Sequence, residues 1–211
     1  MEIFKGFGKK YLKEAGFEPN DFVQMAMQLA AYRLYGRPVG TYEASQTRKF
    51  RHGRTETIRP LSLESEAFVK CMGLKPHDEG DIATCEDRLY LLDQAVLKHS
   101  EYGAEAVQGM GVDRHFFGLS QSMEPGENEP ALFSNPLFQD SKNWRFSTSF
   151  VTYAPGFAPT ADDGVGIGYL IEKDSCFFTI TSRKDNGYAE KFRDLLEEAL
   201  QEMGELVKPV Q

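Results

Sequence analysis

The sequence is poor in cysteine: Cys71, Cys85 and Cys176 are its three, far apart and without Cys-x-x-Cys spacing. That excludes a disulfide framework and the ligand spacing of a structural zinc site. All three are expected to be reduced and mostly buried. No stretch approaches the roughly 18 consecutive apolar residues of a membrane-crossing helix. The N-terminus, MEIFKGFGKKYLKEAG, lacks the apolar core of a secretory signal, so a soluble, intracellular chain is expected, with no membrane contact indicated. Positive charge is also short. The 24 Lys and Arg residues face 32 Asp and Glu, a net charge of −8, which is the wrong balance for a nucleic-acid binder that must neutralise many phosphates. Any anionic ligand must therefore be met locally. One basic cluster stands out, with Lys5, Lys9, Lys10 and Lys13 just ahead of a helical pattern.

At 211 residues and 41% apolar content, the chain suits one sizeable domain with a full core. Residues 21–34 are apolar on nearly every face, with Pro19 upstream and Asp21 and Gln24 spaced as a capping box, so a buried helix is expected there. Residues 40–59 carry threonines, arginines and aromatics around Gly53 without a helical stripe, which predicts strand, turn and strand. Helices are predicted over 62–72 and 84–110, joined by the exposed acidic loop KPHDEGD. Residues 121–142 hold three prolines among polar residues and read as a long irregular surface connection. RFSTSFV, VGIGYLI and CFFTIT predict three strands. The chain closes on a stripe of Tyr188, Phe192, Leu195, Leu196, Ala199, Leu200, Met203 and Val207, a helix that covers one sheet face with its acidic side in water. Interleaved helices and strands predict an α/β domain with helices packed on a mixed sheet.

Four passages carry chemistry. Tyr42, Thr55, Arg54 and their neighbours combine hydroxyls with guanidinium groups, suited to a carboxylate ligand or equally to an edge-strand network of surface ion pairs. Asp113-Arg114-His115 reads as a helix start with an ion pair. Ser147, Thr148 and Ser149 alternate along a strand, so Ser147 and Ser149 share a face, where a hydroxyl can donate to an oxyanion or simply meet solvent. Phe157-Ala158-Pro159 leads to Asp162-Asp163-Gly164, an Asp-Gly turn, and no metal is expected.

In this order and spacing, FGKKYLK, PNDFVQMAMQLAAYR, TYEAS, TRKF, GRTETIRP, VDRHFFGL, WRFSTS and GFAPTADDGVGIGY resemble the signature blocks of the choline/carnitine O-acyltransferase family. The resemblance covers nearly the whole chain. It favours carnitine as acceptor, closer to the palmitoyl- and octanoyl-type enzymes than to choline acetyltransferase. It implies that residues 1–211 form the C-terminal domain of a two-domain, chloramphenicol-acetyltransferase-like fold, with the active site between this domain and an N-terminal half. On matching positions it implies Lys9 and Lys13 at the 3′-phosphate of coenzyme A, with Asn20 where the family has a nucleotide-contacting acid. It implies Tyr42, Thr55 and Arg114 at the carboxylate of carnitine, and Phe157 near its trimethylammonium group. Ser149 is implied as the oxyanion donor, with Ser147 supporting it. Arg54 is implied to pair with an acid of the other half, and Pro155 falls near the position that limits acyl length. No cofactor is implied to be permanently bound, since coenzyme A or acyl-CoA enters as substrate. The expected partners are acyl-CoA, carnitine and the N-terminal half.

The family's general base is a histidine in a His-x-x-x-Asp-Gly motif. His52, His77, His99 and His115 all lack that continuation, and His77 with Asp81 is followed by Ile82. The expectation is a segment of a longer acyltransferase, inactive alone, placed by the family in a mitochondrion or peroxisome. The other reading is a non-catalytic module that holds coenzyme A or carnitine, or that associates with a full-length relative.

Overall fold

A computed structural model describes residues 2–76, 83–124, 126–152 and 156–208. The loop residues His77, Asp81 and Ile82, and Pro155, lie outside the described residues.

Helix α1 (Lys9–Glu14) is short. Helix α2 (Pro19–Tyr35) is buried along nearly its whole length and stops at Gly36, whose φ of 68° ends a helix at no steric cost. The expected capping box is absent. Pro19 occupies the first turn, where its fixed φ and missing N–H are harmless, and the helix therefore starts two residues before Asp21. Asp21 and Gln24 lie inside it and turn inward, Asp21 to His99 and Gln24 to Thr148 and Tyr169. Reciprocal capping boxes at Ser62 and Thr84 do start α3 (Leu63–Met72) and α4 (Cys85–Val107). Beyond α5 (Val112–Gln121), the proline-rich stretch is more ordered than expected. Pro130 and Pro136 open the short helices α6 (Ala131–Ser134) and α7 (Pro136–Asp140). Phe116, Phe133 and Phe138 pack together there with ring centres 5.5–6.5 Å apart.

Among the described residues, six strands form one mixed sheet in the order β1-β6-β5-β4-β2-β3. The hairpin of β2 (Thr41–Gln46) and β3 (Thr55–Ile58) is as expected, as are β4 (Phe146–Phe150), β5 (Val165–Ile171) and β6 (Cys176–Ser182). Strand β1 (Glu2–Phe4) is too short to show alternation. Strand β4 runs parallel to both its neighbours, β2 and β5, and the outer pairs are antiparallel.

Alternation on β4–β6 sends Phe146, Thr148, Val165, Ile167, Tyr169, Cys176 and Phe178 into the core. Helices α2 and α8 (Tyr188–Leu206) pack on this face, with Phe192 against Phe146 at 5.1 Å. The cysteines differ from expectation, because only Cys176 is buried. Burial there pushes its thiol up to about 12. The side of α8 expected in water also has one exception: Glu202 takes a 2.6 Å ion pair from Arg33, and both side chains are buried. Arg33→Met leaves that carboxylate uncompensated and is expected to cost about 3–5 kcal/mol in urea-denaturation stability.

Candidate functional site

Pairing register aligns Tyr42, Ser147, Gly166 and Thr181 in one row across β2, β4, β5 and β6. Ser149, Gly168 and Thr179 form a second row. Period-two alternation puts both rows on the face away from α2 and α8, so Ser147 and Ser149 do share a face.

Arg114, near the start of α5, reaches this face. Its Nη2 donates to Tyr42 Oη at 3.4 Å and Thr55 Oγ1 at 3.5 Å, and its Nε donates to the Thr55 carbonyl at 3.2 Å. Three residues up to 72 positions apart thus converge. The two hydroxyl contacts are long and weak, so an arriving carboxylate can take both the guanidinium and the hydroxyl donors in exchange.

The mounting of Arg114 is firmer. Asp113, beside it, accepts two hydrogen bonds from Arg59 at 2.9 and 2.7 Å, so the ion pair expected at this helix start exists but runs to the end of β3. Arg59 in turn lies 4.7 Å over Trp144, whose ring meets Tyr42 edge-on at 5.8 Å. The Arg114 backbone N–H also donates to buried Glu56 at 3.3 Å. Gly111 is required here, since a Cβ would stand 2.5 Å from Glu56. Sequence reasoning took Glu56 and Arg59 only as part of the hydroxyl- and guanidinium-rich passage, without this supporting role, and gave Trp144 no role. The available signals were Arg59 closing the GRTETIR run and Trp144 being the one tryptophan.

Ser147 is buried and Ser149, near the end of β4, is half-buried, and among the described residues the Ser149 hydroxyl has no hydrogen-bond partner. Phe157 lies on the same face, against Gly166. A Cβ on Gly166 would come within 3.2 Å of its ring and 2.9 Å of its carbonyl, so the glycines of VGIGY give one side to the core and leave the other open for this segment. Asp162 and Asp163, in the turn before β5, pair with Arg183 and Arg145. No group of three or more potential metal ligands exists among the described residues.

Lys9 and Lys13 stand one turn apart on α1, which puts them on one side of it. Both are exposed and in no ion pair among the described residues, whereas Lys10 reaches Glu14 at 3.9 Å. Carbonyls of Glu172 and Lys173 occupy the Lys9 and Lys10 amides, so attraction for an anion comes from the ammonium groups. Asn20 is engaged internally, donating to Glu43 at 3.0 Å and accepting from Tyr169 at 2.6 Å. Arg54 is exposed, and its guanidinium has no ion pair among the described residues.

The apolar side chains of Phe117, Leu119, Leu132 and Leu137 on α5–α7 are exposed, as is Phe150 at the end of β4, on the side of Tyr169. No helix among the described residues is long and apolar enough to cross a membrane.

Residues 1–198 match the sequence model of the family described as Choline/Carnitine o-acyltransferase. The carnitine O-acetyltransferase of Columba livia is 36% identical over 98% of this chain and 33% of its own length. The mitochondrial carnitine O-acetyltransferase of Saccharomyces cerevisiae is 35% identical over 85% of this chain and 27% of its own length. The peroxisomal carnitine O-octanoyltransferase of Bos taurus is 39% identical over 81% and 28%. The chain thus spans about a third of the length of the curated relatives it matches.

Proposed function

Because the chain belongs to the choline/carnitine O-acyltransferase family, we propose that it forms the carnitine-binding, oxyanion-stabilising part of a carnitine O-acyltransferase. The observation that carries this reading is Arg114 held within reach of Tyr42 and Thr55, on the face where Ser149 presents a hydroxyl that has no partner among the described residues. Arg114 supplies charge to the carnitine carboxylate and the two hydroxyls supply direction. Phe157 offers a ring face to the trimethylammonium group, an attraction of about 0.5–2 kcal/mol.

In the reaction a general base takes the proton of the carnitine hydroxyl, and the oxygen attacks the thioester carbonyl of acyl-CoA. Ser149 donates to the oxyanion that forms. Collapse breaks the carbon–sulfur bond, the acyl group stays on carnitine, and the proton passes to the coenzyme A thiolate. The base comes from the remaining portion of the enzyme, which we place against the exposed apolar rim of α5–α7 and Phe150, where Arg54 meets an acid of that portion. As the names of its yeast and bovine relatives suggest, the reaction belongs in a mitochondrion or a peroxisome.

Lys9 and Lys13 face the 3′-phosphate of coenzyme A. Lys9→Ala with Lys13→Ala is expected to weaken coenzyme A binding roughly tenfold and to leave 3′-dephospho-coenzyme A unaffected, as read by titration calorimetry. Equal losses for both ligands would contradict this assignment.

A non-catalytic binding module is the second reading, favoured by the chain's own histidines. His99 is enclosed between two carboxylates, His52 sits in the β2–β3 turn, and His115 lies against Phe116. Titrating carnitine and choline into the chain tests both readings, since carnitine should bind and choline should not. Failure to bind carnitine would remove both its carnitine-site forms.

A further inference from the structure

Under the sheet, on the side away from the ligand face, lies a set of ionisable groups that the reaction above does not use. His99 of α4 is 4% exposed. Its Nδ1 is 2.8 Å from Asp21 Oδ1 of α2 and its Nε2 is 2.6 Å from Glu43 Oε2 of β2. With a carboxyl group at each nitrogen, the protonated ring donates to both sides, and the imidazolium joins two elements.

The chain of contacts continues. Glu43 Oε1 accepts from Asn20 at 3.0 Å and lies 3.3 Å from the Tyr169 hydroxyl of β5. Gln24 donates to Tyr169 at 2.9 Å and to Thr148 Oγ1 of β4 at 3.0 Å, and Thr148 donates to the Tyr42 carbonyl at 3.2 Å. Glu43 follows Tyr42 and pairs in register with Thr148, which lies between Ser147 and Ser149. The network therefore grips β2 and β4 from behind, at the residues next to those that face the ligand.

Burying three ionisable groups is costly, and a layer made only for cohesion does better with apolar side chains. The apolar core around Phe22, Leu92 and Ile167 already supplies cohesion. What the polar set adds is direction.

We propose that His99 is a positioning residue for acyl transfer: by clamping Asp21 to Glu43 it fixes, through Tyr169, Gln24 and Thr148, where Tyr42 stands relative to Ser149. This deepens the carnitine O-acyltransferase reading and rests on it for its kinetic consequence.

The protonation state follows the same geometry. Burial pulls His99 down, but its hydrogen bonds to Asp21 and Glu43, and their charges, outweigh it and raise the ring from 6.5 to about 9. The stabilisation is therefore complete below about pH 6.5 and lost as pH rises through about 9. The other titratable or charged groups beside His99 are Tyr169 from β5, and Arg59, Lys98 and Tyr102, which line one small pocket with it.

The experiment compares wild type, His99→Gln and Asp21→Asn. In the complete enzyme, with this chain joined to its histidine-bearing portion, kcat and KM are measured against pH. In the 211-residue chain, melting and backbone amide resonances are recorded. Gln puts its amide nitrogen at one of the two ring-nitrogen positions, and its carbonyl oxygen cannot donate to the carboxylate at the other. His99→Gln is expected to lower kcat roughly 10- to 100-fold with the coenzyme A KM unchanged, and to move the amide resonances of Tyr42 and of residues 147–149. Asp21→Asn keeps the shape but removes a charge, so its kcat should match wild type at pH 6 and begin to fall at a lower pH than wild type does. A drop in melting temperature alone, with kcat, pH profile and those resonances unchanged, would overturn the proposal. A complete wild-type enzyme without carnitine-dependent turnover would instead defeat the functional reading. The resonances then decide the clamp: no movement in His99→Gln overturns it, and movement upholds it.

Discussion

Arg114→Ala should raise the carnitine KM of the complete enzyme roughly 10- to 100-fold, the weight of a charge-assisted hydrogen-bonded contact at about 1.5–3 kcal/mol. Fold stability should change little, since the side chain is exposed, its bonds to the Tyr42 and Thr55 hydroxyls are long, and its one ordinary hydrogen bond, to the Thr55 carbonyl, is also exposed. Arg114→Lys keeps the charge but loses the planar fork, so partial recovery is expected. Choline has no carboxylate, and any residual activity toward it should be unaffected by either change. A KM that does not move in Arg114→Ala would remove the carboxylate contact, and with it the preference for carnitine. Asp113 and Arg59 serve as an internal comparison. Breaking that pair by Arg59→Ala loosens the start of α5 without touching the ligand, and should raise the KM less.

Ser149→Ala carries the second large effect. A single oxyanion donor is worth about 2.7–4 kcal/mol of transition-state stabilisation, so kcat should fall roughly 100- to 1000-fold. The KM values for carnitine and acyl-CoA should stay near wild type, because the hydroxyl meets charge that exists only on the way to the tetrahedral intermediate. Ser147→Ala is the contrast. Ser147 is buried beneath the path of Phe157 and should show a smaller kcat effect. Equal effects of the two would mean that the Ser-Thr-Ser strand acts through its packing rather than through one hydroxyl.

What could be read in the chain without coordinates was mostly local. The starts of α3 and α4 lie in four-residue capping patterns at Ser62 and Thr84, and the three late strands announce themselves by alternation in RFSTSFV, an apolar run in VGIGYLI and a wealth of β-formers in CFFTIT. The same kind of pattern misleads at Asp21 and Gln24, because a capping signature and an inward-facing polar pair share one spacing. Pro19 and the partners of the two side chains settle which it is, and those partners lie 78 to 145 positions away. The packed aromatic trio on α5–α7 stays hidden for a similar reason, since prolines read as breaks even when they open short helices.

The site divides along the same line. Tyr42, Thr55 and Arg114 were singled out through the resemblance of their motifs, while composition alone left Tyr42 and Thr55 balanced between ligand site and surface network and read Arg114 as part of a helix start with an ion pair. Their supports were not identifiable. Glu56, Arg59 and Trp144 matter because of what they touch across the fold. His99 looks like one more helix residue until Asp21 and Glu43 appear on either side of its ring.

The central claim is that this chain is the acceptor-holding part of an acyl-transfer site. Its most direct test is carnitine-dependent release of the coenzyme A thiol from acyl-CoA, measured for the chain alone and for the chain joined behind a histidine-bearing first portion. Turnover by the joined protein and none by the chain alone is the predicted result. A joined protein that folds and binds both substrates but releases no thiol would contradict the claim and leave a binding module.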